Sequence, residues 1–273
     1  MWKLRKEEGA HHERDPSIEA ESHPEATMLL PIAQVAALGL ALTTTTPPRS
    51  GTITMGPKLH GSQQSRSPLV NWYALEAGVE LDMMPPRPSN HPFQQVPFLT
   101  DDGGVEVFES GAILLYLADA YGGASTPQER AAFTKWVVWS NSELDGLCFG
   151  AIPGDHRVRG TSMDRPDLRA VGTLEKILGE CDWLVDDAFS VADVAVGSYL
   201  NYVPIFFPQA SLAQTPNIAR YMQRCASRPA FAQAFGDGHA QLVLSKAEQW
   251  LAEGGAEGGA PPNPADMLKK MFS

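Results

Sequence analysis

The sequence predicts a two-part fold, an α/β unit followed by an all-α helical bundle. Three observations carry that prediction. Strand-like and helix-like segments alternate as far as Gly122-Gly123, and every patterned segment beyond that pair is helical. Between Gln95 and Ile113 an apolar strand carrying Pro97, a turn at Asp101-Asp102-Gly103-Gly104 and a second strand Val105-Glu106-Val107-Phe108 lead into a helix at Glu109-Ser110. Farther on, Ser190-Val191-Ala192-Asp193 opens an apolar helix with a capping box in which Asp replaces the usual Glu.

The elements follow in order. Lys58-Leu59-His60-Gly61 reads as a first strand. Ser67-Pro68 to Ala77-Gly78 reads as a helix, with Ser67 at its cap, proline in its first turn and glycine past its end. Val79-Glu80-Leu81-Asp82-Met83 alternates like a second strand, and Pro85-Pro86-Arg87-Pro88-Ser89-Asn90 forbids a regular helix before the Pro97 strand. Ser110 is placed to cap the next helix, where Ile113, Leu114, Leu117 and Ala118 recur at helical spacing. This order is thioredoxin-like, with a right-handed crossover expected. Helices are then expected over Thr126–Leu147, Met163–Leu184, Ser190–Tyr202, Thr215–Ser227 and Pro229–Phe235. Glu253–Pro264 reads as a low-complexity linker, with a last amphipathic turn at Met267–Phe272. The expected divisions are a disordered or targeting leader at 1–54, the α/β domain at 55–123, the helical domain at 126–250 and a flexible tail at 251–273.

Composition narrows the function. Among 273 residues, 32 acidic against 21 basic side chains give a net charge of −11, which argues against a nucleic-acid or anionic-membrane surface. Cys148, Cys181 and Cys225 are an odd, widely spaced set, read as free thiols of a reducing, cytoplasmic compartment. No metal is expected: no Cys–His cluster has ligand spacing, and His11-His12 reads as solvated chain. Met28–Leu42 is apolar but shorter than the ~20 residues of a membrane span. It has the length of a signal-peptide core, yet follows the charged Met1–Thr27. Three readings compete: translation begins at Met28, it begins at Met55, or the segment is an unusual leader to a plastid or the secretory route.

The hairpin region carries chemistry. A proline at the strand edge removes a donor, so Val96 must offer its backbone elsewhere. A helix N-terminus preceded by Glu109 suits a small zwitterion, with backbone N–H groups on its carboxylate and Glu109 on its ammonium. Here the chain resembles a family. Gln95-Val96-Pro97, the hairpin, and Glu109-Ser110-Gly111-Ala112-Ile113 followed by Leu115-Tyr116-Leu117-Ala118-Asp119-Ala120-Tyr121-Gly122 resemble the glutathione-binding half of the cytosolic glutathione transferases. The likeness is greatest to bacterial and algal members, including the chi-like ones, and extends over Pro57–Trp250. It implies the glutathione transferase fold and a cis Pro97. It also implies Val96 backbone pairing with the cysteinyl unit of glutathione, with Gln95 beside it, and a γ-glutamyl end held by Glu109 and Ser110. Glutathione is then a co-substrate, its acceptor a small hydrophobic electrophile, and the protein a homodimer. The Phe189-Ser190-Val191-Ala192-Asp193 stretch resembles the buried capping motif of the family's helical domain.

The reactive thiol belongs to the ligand. A cysteine-like thiol has a pKa of ~8.5, so an enzyme must stabilise the thiolate. The donor has to stand in Gly61–Pro68. Counting from Leu59, Ser65 falls where serine-type members carry the activating hydroxyl. Arg66 offers a cation, Ser67 is better explained as the cap, and Ser62 fits only another loop conformation. The α/β unit holds no cysteine, so mixed-disulfide chemistry has no nucleophile there. The chain departs from the family before Gln95, where a shortened connection leaves Arg87, His91 and Gln94 as the substitutes for the residue that takes the glycine carboxylate. Trp136, Trp139, Tyr199, Tyr202 and Phe206 are candidate walls for the electrophile, although aromatic residues at this spacing are also ordinary core. The rivals are a non-catalytic transferase-like interaction module, and a glutathione-dependent peroxidase or ligand carrier on the same fold.

Overall fold

The structure, a computed structural model, describes residues 56–86, 88, 90–150 and 158–257. The leader with its apolar segment, His11-His12, Arg87 and the turn at Met267–Phe272 lie outside the described residues.

A four-stranded sheet carries the first part. Strands β1 (Lys58–His60), β2 (Asp82–Met84), β3 (Phe98–Asp101) and β4 (Val105–Phe108) lie in the order β2-β1-β3-β4. β1 and β2 are parallel, joined through helix α1 (Ser67–Glu76), and β3 and β4 form the hairpin over a 3₁₀ turn at Asp102–Gly104. Phe98 pairs with His60 on one side and Phe108 on the other. The residues one step farther along, Gly61, Pro97 and Glu109, therefore lie at one end of the sheet. That register decides where a site can be built.

Two starts differ from expectation. β2 begins at Asp82 rather than Val79, because the end of α1 uses Val79: its N–H reaches the Ala74 carbonyl at 2.8 Å, and Gly78, at φ 68°, sends its own to Leu75. That pair of bonds closes the helix end with glycine in the left-handed region. Ser67 is not the cap of α1 but its first helical residue, with Arg66 at the cap position. The chain has already turned, Ser65 N–H to Ser62 C=O at 3.2 Å, so the hydroxyl that receives the Ser67 N–H is that of Ser65, at 3.1 Å. Ser110 likewise begins α2 (Ser110–Tyr121) instead of capping it; Glu109 stands at the cap with φ 69° and makes no side-chain cap bond.

The second part is helical. After α2 come α3 (Pro127–Trp139), a π-helical turn (Ser140–Leu144), α4 (Asp145–Phe149), α5 (Arg169–Glu180), α6 (Val191–Phe206), α7 (Pro216–Ala226), α8 (Pro229–Phe235) and α9 (Asp237–Glu257). α6 runs through the centre, buried along most of its length, and packs on α1, α3, α7 and α9. Its capping box is formed as the sequence indicates. Ser190 Oγ accepts from Ala192 N–H, and Asp193 accepts from Ser190 N–H (2.9 Å), Leu184 N–H (3.0 Å) and the Tyr221 hydroxyl (3.0 Å). Asp193 is 0% exposed.

Two helical expectations need correction. The helix expected from Met163 begins only at Arg169, because Pro166 and the turn bonds around Ser162–Leu168 interrupt it. The stretch after Phe235, for which no helix is expected, forms α9, which continues to Glu257 through part of the supposed linker. Ala240, Val243, Ala247 and Trp250 line its buried stripe, and Gly254 lies so close to Ala213 that an added Cβ would sit 2.4 Å from its carbonyl oxygen. Gly254 is there for close packing, not for flexibility.

The N-terminus of α3 yields a pH prediction. Thr126 Oγ1 accepts from Glu129 N–H, while Glu129 Oε2 accepts from Thr126 N–H (2.8 Å), Ser125 N–H (2.9 Å) and the Ser125 hydroxyl (2.6 Å). These bonds, the Ser125 hydroxyl first, hold the Glu129 carboxyl down to about 2. Its folded value lies below the unfolded ~4.3, so this cap contributes fully above pH ~4.3 and is lost as pH falls toward 2. A carboxyl NMR titration should place the Glu129 midpoint near 2; a midpoint near 4 would show the cap is not formed.

Candidate active site

The loop from Gly61 to Arg66 stands at the functional end of the sheet, against the helical part. Gln63 Nε2 donates to the Ala234 carbonyl at 3.1 Å, and the Tyr202 hydroxyl donates to the Ser65 carbonyl at 3.3 Å. Below the loop, Trp72 packs edge-on to Phe231 at 5.0 Å, and Arg228 grips Glu76 with two bonds of 2.6 and 2.7 Å.

The three sequence candidates in this loop separate. Ser67 is 2% exposed, its hydroxyl paired with Ser65 Oγ at 2.7 Å and accepting the Ser62 N–H at 3.2 Å. Ser65 Oγ donates to the Ser62 carbonyl at 2.8 Å and accepts the Ser67 N–H. A hydroxyl has one proton, and in this conformation that of Ser65 is directed inward, to the loop itself. Arg66 instead reaches across to the helical part. Its Nη2 is ion-paired with Asp145, its Nη1 donates to the Tyr199 hydroxyl at 2.7 Å, and its guanidinium lies 4.5 Å from the Tyr199 ring centre. Two of the five guanidinium N–H groups make those bonds.

Sequence reasoning did not identify Asp145 or Asn141, and the local cause of their placement is visible in the chain. Ser140 Oγ, Asn141 Nδ2 and Ser142 Oγ each bond back to a carbonyl four residues earlier, on Trp136, Val137 and Val138 at 2.8, 2.8 and 2.9 Å. Three consecutive side chains competing for helical carbonyls loosen the ladder, and the π-helical turn Ser140–Leu144 occurs there. Asn141 and Asp145, four residues apart, both reach the seam: Asn141 Oδ1 accepts the Tyr199 hydroxyl at 2.9 Å. The signal is the Ser-Asn-Ser run, but its consequence depends on partners far away in the chain.

At the other corner, the Val96–Pro97 bond is cis. Glu109 is exposed, Val96 half-buried and Gln95 exposed, and Ser110 is buried at the start of α2. Asn141 closes over this corner, since a Cβ added to Gly111 would sit 2.5 Å from its Nδ2. Two expectations fail in part. His91 is neither solvated nor presented freely: it is 3% exposed, its Nδ1 accepts the Phe93 N–H at 2.9 Å, and its ring packs on Phe98 and Phe108. The aromatic set also divides. Tyr202 and Phe206 gather with Phe149 near Arg66, with Phe206 49% exposed, while Tyr199 is buried and engaged by Arg66. Trp136 and Trp139 face instead a cleft of about 670 Å³ between α3 and α5, beside Leu174 and Ile177. Burial pushes the Tyr199 phenol up to about 12 and the Tyr202 phenol up as well, so both are neutral hydroxyls near neutral pH.

A thioredoxin-like α/β unit with a cis proline beside a helix N-terminus, joined to a bundle whose central helix opens with a buried Ser-Asp capping box, defines the two-domain glutathione transferase class. Residues 60–119 match the family described as glutathione S-transferase, N-terminal domain, and residues 164–229 match glutathione S-transferase, C-terminal domain. The chain belongs to the glutathione S-transferase family. It is 31% identical over 157 residues to disulfide-bond oxidoreductase YfcG of Escherichia coli (strain K12), spanning 52% of this chain and 72% of that protein. To glutathione S-transferase GstB of the same organism it is 29% identical over 148 residues, 50% of this chain and 70% of GstB. A glutathione transferase structure from Methylococcus capsulatus str. Bath superposes with a TM-score of 0.55 at 23% identity, covering 68% of this chain and 99% of that one. Among the described residues no helix is long and apolar enough to cross a membrane, and no group of three or more His, Cys, Asp or Glu side chains is placed to hold a metal ion.

Proposed function

We propose that this chain is a glutathione transferase that joins the glutathione thiolate to small hydrophobic electrophiles. The observation that supports this most is the shared register of Gly61, Pro97 and Glu109 at one sheet end, with the loop after β1 bringing a half-buried arginine beside the Phe149–Tyr202–Phe206 cluster. In this reading the N-terminus of α2 and Ser110 take the γ-glutamyl carboxylate, and Glu109 takes the ammonium. Its φ of 69°, an uncommon backbone state outside glycine, directs it at the sheet end instead of into a helical first turn. The Val96 backbone pairs with the cysteinyl unit. His91 acts by supporting Phe98 and Phe108 beneath that corner instead of touching the peptide.

Arg66 carries the catalytic role. An opposite charge within ~4–6 Å lowers the pKa of an acid by ~1–3 units, enough to bring a thiol of ~8.5 to partial ionisation at neutral pH. Ser65 supports the loop through its bonds to Ser62 and Ser67. Phe149, Tyr202 and Phe206 form the apolar wall for the electrophile, which excludes water from the thiolate and favours planar aromatic acceptors. The protein acts in the cytoplasm, in keeping with its free cysteines, and as a homodimer, for which the open Trp136–Trp139 cleft offers apolar surface.

Retention on immobilised glutathione followed by conjugation of a chloronitroarene tests the reading. Binding with turnover supports it. Binding without turnover moves the chain to the carrier or interaction-module class, and failure to bind glutathione removes the reading. Light scattering should give twice the chain mass for the homodimer.

A further inference from the structure

Arg66 has a surrounding that the transferase reading does not require. Its guanidinium stands at the end of a chain of contacts crossing from the first loop into the helical part: Asp145 on one nitrogen, Tyr199 on another, and Asn141 behind Tyr199. The Tyr199 ring centre lies 4.5 Å from the guanidinium and that of Phe149 5.9 Å. Asn141, which accepts the Tyr199 hydroxyl, abuts the backbone of Gly111 next to Ser110. One buried phenol thus connects the loop after β1, which it contacts directly, to the start of α2, which it reaches through Asn141.

We propose that Tyr199, together with Asp145, is a positioning residue that holds the Arg66 guanidinium in the orientation in which it stabilises the thiolate. The inference rests on the transferase reading above. The arrangement is suited to the task. An arginine has a long, rotamer-rich side chain, and an unrestrained guanidinium would swing into solvent and lose most of its influence on a thiolate. Tyr199 accepts from Nη1 while donating onward to Asn141, so its hydroxyl is held at both ends and in turn holds the cation. The charged and titratable groups facing Arg66 are Asp145 and Cys148 from α4 and Tyr199 and Tyr202 from α6. Burial pushes the Cys148 thiol and both phenols upward, so the ion pair with Asp145 is the charged interaction among them.

The proposal separates positioning from simple background charge through the sign of one substitution. Thiolate absorbance of glutathione bound to the full chain is titrated against pH in the wild type, Tyr199→Phe and Asp145→Asn, with binding followed by calorimetry and folding by circular dichroism. Positioning predicts that Tyr199→Phe raises the bound-thiol pKa by ~1 unit while affinity changes less than about threefold, since the ring remains to fill its place. It also predicts that Asp145→Asn raises the same pKa. If Asp145 acted only as a nearby negative charge, its removal would lower the pKa, and that result overturns the proposal. A Tyr199→Phe titration superimposed on the wild type overturns it equally. Should Tyr199→Phe fail to fold, Asp145→Asn, at a partly exposed position, decides the question alone. A wild type that binds glutathione with its thiol at the free value of ~8.5 overturns both the proposal and the role given to Arg66; a wild type that binds no glutathione removes the transferase reading itself.

Discussion

Replacing Asp193 with alanine is expected to destabilise the protein by about 3–5 kcal/mol, because a buried hydrogen-bond network loses its central acceptor. Four donors lose their acceptor at once: Leu184 N–H, Ser190 N–H, the Ser190 hydroxyl and the Tyr221 hydroxyl. Each buried donor left unpaired costs about 1–3 kcal/mol, which sets that magnitude. For a chain of this size the melting temperature should fall by on the order of 10 °C. Circular dichroism melts check it, and a loss under about 2 °C would mean the network is not formed. Below the melting transition, glutathione retention should be unchanged, because Asp193 touches none of the loop, the cis proline corner or the aromatic cleft. The pH sign differs from that of Glu129. Burial raises the Asp193 carboxyl above its ordinary value, with the Leu184, Tyr221 and Ser190 bonds opposing. The stability this linkage adds is therefore fully present below the unfolded ~3.9 and is lost as pH rises through the folded value. Acid loss of stability should come from groups such as Glu129 instead.

Arg66→Ala is expected to lower kcat/KM for conjugation about 100-fold, which corresponds to ~2.7 kcal/mol of transition-state stabilisation and is typical of removing one charge-stabilising donor from an active site. The loss should fall mainly on kcat and on the pH profile, whose lower limb should move toward the free thiol value. Arg66→Lys should recover only part of it, since an ammonium cannot bond Tyr199 and Asp145 together with the planar fork of arginine. Ser65→Ala should behave differently. It removes the acceptor for the Ser67 N–H and so costs ~1 kcal/mol of stability, with a small change in the thiol titration. Steady-state kinetics across pH, with melts for each variant, separate the two. If Ser65→Ala shifts the titration with the fold intact while Arg66→Ala does not, the activating role passes to the serine.

The functional-site elements were legible to different depths. The hairpin, its helix and the corner they form are local in sequence, and a proline beside a Glu-Ser helix start announces itself within a few residues. The Ser-x-x-Asp box at Ser190 is equally local. The identity of the caps was not legible, because Ser65, Ser67 and Ser110 all carry suitable chemistry, and only the backbone path decides which hydroxyl meets which N–H. α9 was not anticipated, and the linker expected from Glu253 was placed too early because a glycine pair reads as a linker unless the carbonyl packed against it is known. Trp136 and Tyr199 share a helical aromatic pattern yet serve different surfaces, since periodicity gives the face of a helix and not what that face meets.

The amino-acid order by itself thus determined the family, the two-part order of elements and the cis-proline corner, all built from contacts within about twenty residues of chain, where propensity, capping and turn chemistry act directly. The tertiary structure decided the rest. Arg66 meets Asp145 and Tyr199 across 79 and 133 positions, and no local preference encodes a meeting of that separation. It follows from how the loop after β1, the π-helical turn and α6 are packed together. The corner suited to the ligand could be read from the chain, whereas the candidate cation for its thiol was singled out only by the packing of one part against the other.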